Sequence, residues 1–166
     1  MFHSLNPQKT NTRFFPNSCI IDEESKFCRT VRSFMTTHSH RRLINGLVTY
    51  ILNSETKERS SAATAMAMIE QVLGIERAKE ELINDPQGVK AAVKMVFRVS
   101  DHEGSESALN SLLMVCYESL QAREHAIAAG VLTQLLLLLQ SQCNRRVKTK
   151  ATTLLKLLRS KWDEEQ

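Results

Sequence analysis

Turn-forming residues are scarce in this chain: three prolines and five glycines in 166 residues. That is too few to punctuate a loop-dominated fold, and no alternating apolar and polar stretch is bounded by hairpin signals, which excludes a predominantly β architecture. Aromatic residues supply only 5% of the sequence, so the core has to be built from Leu, Ala, Val and Met, as in packed helices. Long apolar runs are missing as well. The N-terminus lacks the apolar stretch of a signal peptide. The five leucines Leu135 to Leu139 fall far short of the roughly 20 residues that cross a bilayer, so no membrane span is expected. Four cysteines without a secretory signal read as reduced thiols, which places the chain in the cytoplasm, with the nucleus as the alternative. No Gly-rich phosphate loop, nucleophile elbow, HExxH helix or paired carboxylate arrangement occurs, so no catalytic residue and no cofactor is assigned. Cys19, Cys28, His38 and His40 are of metal-ligand type, but their spacings match no usual zinc pattern, and no metal site is expected. The stretch SDHEGSES around His102 reads as a solvated loop that is open to phosphorylation on serine.

What the chain has instead is a period. Gly46, Gly88 and Gly130 each open an apolar run, and the interval of 42 residues is the same both times. Leu47, Val89 and Val131 align under it, as do Ile51, Val93 and Leu135, and Leu73, Val115 and Leu157. Positions expected to be buried thus recur with the punctuation, and helical repeats of about 40 to 47 residues mark HEAT and armadillo arrays. Each segment reads as an apolar helix after the Gly, a polar turn (Asn53 to Ser60, Ser100 to Ser107, Ser141 to Asn144) and a longer amphipathic helix. A shorter helix follows around Glu76 to Ile83 and Ala122 to Ala128, and the glycines are expected at the sharp turns after it. Three helices per unit is the armadillo arrangement. The expected fold is therefore all-α, an armadillo-type right-handed solenoid of about three repeats.

The resulting organisation is an irregular segment 1–21, a partial repeat 22–45, repeats 46–87 and 88–129, and a capping repeat 130–166. In the partial repeat, Glu23 to Met35 and His40 to Ile44 fit a long and a short helix, while Phe14, Phe15, Ile20 and Ile21 are placed to fold back on the first repeat. The last helix, Arg145 to Lys161, carries Val147, Ala151, Leu154, Leu155 and Leu158 on one stripe. Leu112, Leu113, Leu154 and Leu155 are expected to be buried, and Cys116 falls on a core stripe.

Charge is uneven. From Gly130 onward there are seven basic and three acidic residues, which accounts for the whole net charge of +4. A solvated basic helix is the first explanation. An acidic protein patch or anionic lipid stands second, and nucleic acid last, because no aromatic residues are interleaved for base stacking.

The stretch AREHAIAAGVLTQLLLLLQSQCNRRVKTKATTLLKLLRSKW, with KMVFRVSDHEGSESALNSLLMVC before it, resembles the C-terminal armadillo region of plant U-box ubiquitin ligases. The resemblance covers roughly Thr56 to Trp162. It implies a protein-protein interaction module that selects a ubiquitination substrate or docks a kinase. The Cys-Pro-Ile entry and Asp-Pro-Val segment of a U-box are not found, so no ubiquitin transfer is expected from this chain alone. A non-ubiquitin armadillo scaffold is the alternative. In armadillo arrays the long third helix lines the concave face, which nominates Asn110, Met114, Lys148, Thr152, Lys156 and Arg159 as partner contacts. Transport receptors of this class bind basic cargo, which Lys156 and Arg159 would repel, so an acidic or neutral protein partner is favoured.

Overall fold

The computed structural model describes residues 40–54, 59–98 and 103–164, and every regular element in them is a helix. In order these are α1 (His40–Asn53), α2 (Arg59–Val72), α3 (Glu76–Asn84), α4 (Pro86–Val96), α5 (Glu103–Glu118), α6 (Leu120–Ala128), α7 (Val131–Gln140) and α8 (Arg145–Glu164). Cys19, Cys28, His38 and the expected helix Glu23 to Met35 lie outside the described residues.

Local chemistry sets the breaks between helices. At the α3–α4 junction Asp85 is extended, its carboxylate accepts the Gln87 N–H at 2.9 Å, and Pro86 occupies the first helical position. This is a cap followed by the one residue that loses nothing there. Ser119 caps α6 by accepting the Ala122 N–H at 3.2 Å. Asn144 does the same for α8, accepting the Val147 N–H at 2.8 Å.

The helices stack in two rows. The long helices α2, α5 and α8 lie side by side, α1, α4 and α7 form a second row behind them, and the short α3 and α6 bridge successive units. Each helix turns a stripe of small and aliphatic residues into the space between rows: Ile44, Val48 and Ile51 from α1, Ala108, Leu109, Leu112 and Cys116 from α5, and Val147, Ala151, Leu154 and Leu158 from α8. Burial of such stripes, rather than helix propensity, is what holds short helices together.

Two contacts tie successive units through polar chemistry. Lys94 on α4 donates to the carbonyls of Ile51 (3.0 Å), Leu52 (2.7 Å) and Ser54 (3.3 Å), so the open C-terminal end of α1 is closed by a cation from the next unit. Lys79 on α3 lies between Glu76 (2.9 Å) and Glu118 (2.6 Å), its side chain only 11% exposed. The hydrogen bond to Glu118, followed by that to Glu76, holds its pKa above the ordinary 10.5.

The three periodic glycines do not share one role. Only Gly130 makes a left-handed turn, with φ 83° between α6 and α7. Gly46 sits inside α1, which runs unbroken through the expected short helix His40 to Ile44, because its stripe of Ile44, Val48 and Ile51 continues across the glycine. Gly88 lies in the first turn of α4, and Asp85 and Pro86 make the turn in its place. The expected burial also needs correction at Leu47, Leu113, Leu155 and Leu157, which are half-buried while Leu112 and Leu154 are fully buried. One residue along a helix is a rotation of about 100°, enough to bring a side chain out of the stripe. Ser105, expected in a solvated loop, is buried within α5, where Gly104 lets the helix start close against Met95 and Ala63.

Candidate partner-binding face

The row of long helices presents an outer side made by the residues that the core stripe leaves over. On α5 these are Glu106, Asn110, Leu113 and Met114, all half-buried, and Tyr117, which is 76% exposed. On α8 they include Lys148 and Lys150, half-buried, and Thr152, Lys156 and Arg159, which are exposed. The 42-residue period sets the two helices in matching register, so that Asn110 corresponds to Thr152, Met114 to Lys156 and Tyr117 to Arg159. Because α5 and α8 pack against each other, these pairs are rungs of one surface.

Side chains cross between the helices on this side. Asn110 Nδ2 donates to Glu70 Oε1 on α2 at 2.7 Å, and Lys150 Nζ donates to Glu106 Oε1 at 2.6 Å. Both are charge-assisted bonds, and together they fasten α5 to the long helix on either side. They also consume carboxylates. Glu70 is taken by Asn110, Glu106 by Lys150 and Glu118 by Lys79, so every carboxylate on the long helices whose side chain is described already has a donor. Lys148, Lys156 and Arg159 have no ion-pair partner among the described residues. Among the described residues the uncompensated charge of this face is therefore positive, and it lies on α8. Thr152 is the weakest of the nominated contacts. Its hydroxyl donates to the Lys148 carbonyl at 2.9 Å, a local bond within its own helix that leaves only acceptor capacity.

Tyr117 does not stand out in the sequence, since it follows a buried cysteine and resembles one more core residue. The signal that would find it is its position seven residues after Asn110, two helical turns along the same outer stripe. Arg123 fixes where it stands: the guanidinium Nε donates to the Cys116 carbonyl at 2.6 Å and Nη2 to the Tyr117 carbonyl at 3.4 Å, closing the C-terminal end of α5. The aromatic ring is thus held out in solvent from a backbone that is itself tied down.

Other features offer less. A shallow open depression lined by Arg41, Asn45, Glu81, Asn84, Asp85 and Pro86 is polar, and Arg41 and Glu81 pair across it at 3.5 Å. It contains no nucleophile and no enclosed surface for a substrate. The Cys116 thiol is buried, which pushes its pKa up to about 12, so it is a core filler rather than a reactive thiolate.

Comparison with known proteins gives these helices relatives. The family model described as the plant U-box protein ARM repeat region matches residues 29–166. The chain is 48% identical over 77 residues to U-box domain-containing protein 26 of Arabidopsis thaliana, a stretch covering 46% of this chain and 18% of that protein. It is 47% identical over 76 residues to U-box domain-containing protein 25 of the same plant, with the same shares of each. A longer match, 28% identical over 133 residues, is to the Arabidopsis E3 ubiquitin-protein ligase PUB22 and covers 75% of this chain and 30% of that protein. The matched stretches thus span less than a third of the length of each of these relatives.

Proposed function

The chain belongs to the plant U-box protein ARM repeat family, and on that premise we propose that it is a protein-recognition module of the ubiquitination pathway. Its outer face of long helices holds the partner, and ubiquitin transfer itself belongs to a U-box rather than to these helices. One observation carries the choice of face. The described carboxylates of that row are occupied by Asn110, Lys150 and Lys79, whereas Lys156 and Arg159 are exposed without an ion-pair partner among the described residues. A surface whose described anions are neutralised and whose described cations are not is complementary to an acidic partner segment.

The test is the double charge reversal Lys156→Glu with Arg159→Glu, both at exposed positions. Helical content measured by circular dichroism stays unchanged. Capture of a ubiquitination substrate from plant extract is lost, and in the unaltered protein that capture weakens steeply with salt, as screened charge contacts must. Capture that survives both the reversal and high salt rules this face out as the recognition surface.

A further inference from the structure

Resting on the assignment of this face as the recognition surface, we infer that its ligand is an extended segment in which an apolar or aromatic residue stands about three positions from an acidic one. The apolar side chain packs on Tyr117 and Met114, and the carboxylate lies on Lys156 and Arg159.

Two observations, independent of each other, define the two ends of this site. At one end is an exposed aromatic ring on a fixed backbone. Tyr117 is 76% exposed, Arg123 clamps the carbonyl beneath it, and Met114 and Leu113 continue the apolar surface one turn away. Rigid exposed Tyr beside Met is the composition of an interface anchor rather than of a solvated helix face. The carboxylate nearest the ring in sequence, Glu118, is engaged by Lys79, so it does not repel an incoming acid. At the other end are the cations of α8. Met114 and Tyr117 correspond to Lys156 and Arg159 through the repeat, and the two helices pack against each other, so in the repeat register an apolar rung on α5 is followed by a cationic rung on α8. Toward the start of both helices Lys150 and Glu106 satisfy each other, and the other cation there, Lys148, is half-buried.

Geometry sets the spacing. Packed helices lie about 8 to 10 Å apart, and an extended polyproline-like chain rises about 3.1 Å per residue and returns a side chain to the same side every three residues, about 9 Å on. A ligand crossing from α5 to α8 therefore places its anchor and its acid about three residues apart. A helical ligand, rising about 1.5 Å per residue, would need six or seven.

The experiment uses the purified chain and labelled peptides of Gly-Ser background carrying one Phe and two adjacent Glu, with their separation scanned from one to eight residues and binding read by fluorescence anisotropy. Binding is expected to peak at a separation of about three. Tyr117→Ala weakens the best peptide about tenfold, as loss of an aromatic anchor does, and Lys156→Glu with Arg159→Glu weakens it at least as much and makes the Lys-for-Glu peptide the better ligand. Circular dichroism confirms that each variant is folded. A flat dependence on separation, a peak at six or seven, or an affinity unchanged by Tyr117→Ala overturns the inference. So does binding to phosphatidylserine vesicles with none to any peptide, which would make the basic end a lipid contact. If substrate capture still depends on Lys156 and Arg159 while the peptide profile is flat, only the present inference falls. If capture ignores the reversal, the assignment of the face falls with it.

Discussion

Replacing each of the three periodic glycines by alanine tests the fold at positions that the sequence makes equivalent and the structure does not. Gly46 is exposed in the middle of α1, and a methyl group built there meets nothing within 4 Å. Alanine at such a site restricts the unfolded chain and favours the helix, so Gly46→Ala should stabilise by about 0.5 to 1 kcal/mol. At Gly88 the same methyl group would stand 2.6 Å from the Leu82 carbonyl oxygen and 2.8 Å from Leu82 Cδ1. The nearest obstacle is backbone, so α3 and α4 must separate. Overpacking of this kind costs about 1 to 3 kcal/mol and exceeds the propensity gain. Gly130 has open space around it but a φ of 83°, where a Cβ costs about 1 to 2 kcal/mol. Unfolding releases about 2.1 cal/mol/K per residue, or about 0.26 kcal/mol/K over the roughly 125 residues from His40 to Glu164. A change of 1 kcal/mol thus moves the melting temperature by about 4 °C. Thermal melts followed by circular dichroism should rise by about 2 to 4 °C for Gly46→Ala and fall by about 4 °C or more for the other two. Three shifts of the same sign and size would mean that the glycines occupy one structural role after all, and that the continuous α1 is wrong.

The remaining expectations concern the core and the inter-unit ties. Leu154→Ala, at a fully buried position, should cost about 2 to 5 kcal/mol, whereas the half-buried neighbour Leu155→Ala should cost about 1 kcal/mol; equal chemical-denaturation midpoints would show that the register of α8 is wrong. Lys79 has its pKa raised above 10.5 by Glu118 and Glu76, so its stabilisation is full below 10.5 and is lost as pH rises through the folded-state value. Urea midpoints should therefore fall more steeply in the alkaline range for the unaltered chain than for Lys79→Met, and identical slopes would remove the ion pair from the account. Lys94→Met takes the side-chain donor from the carbonyls of Leu52 and Ser54 and leaves that of Ile51 with the Ser54 hydroxyl alone, which should cost about 1 to 3 kcal/mol. Hydrogen exchange should then speed up at the end of α1 first; protection unchanged there would mean the cap contributes nothing.

Much of the fold was legible because period and burial are coupled. Ile51, Val93 and Leu135 align in the sequence and all three are buried, while of the other two aligned sets Leu47 and Leu157 are half-buried and the rest buried, since a stacked array needs the same inner positions in every unit and relaxes them only in its outer units. The short helices were legible from their flanks, and the structure places them at Glu76–Asn84 and Leu120–Ala128. What the period concealed is that punctuation need not repeat with the core. Three glycines in register suggested three turns, but Asp85 and Pro86 already make one of them and the stripe through Gly46 removes another. A turn can be built from several chemistries, whereas a buried aliphatic position has few substitutes, so the core is the more faithful carrier of the repeat.

The candidate face was legible only in part, for a reason of the same kind. Lys156 and Arg159 announce themselves as excess charge, and the repeat register places them beside Asn110 and Met114. Whether a charge is free, however, depends on partners far away in sequence. Lys150 looks equivalent to Lys156 on paper, yet it is bound to Glu106, 44 residues earlier, and Asn110 is bound to Glu70, 40 residues earlier. Neither separation equals the 42-residue period, because each side chain reaches diagonally across to the neighbouring helix. Counting charges within α8 therefore overstates its available cations, while Tyr117, uncharged and adjacent to buried Cys116, is passed over. The surface open to the proposed partner is what remains after these diagonal contacts are subtracted, and among the described residues that remainder is an aromatic ring on α5 with Lys148, Lys156 and Arg159 on α8.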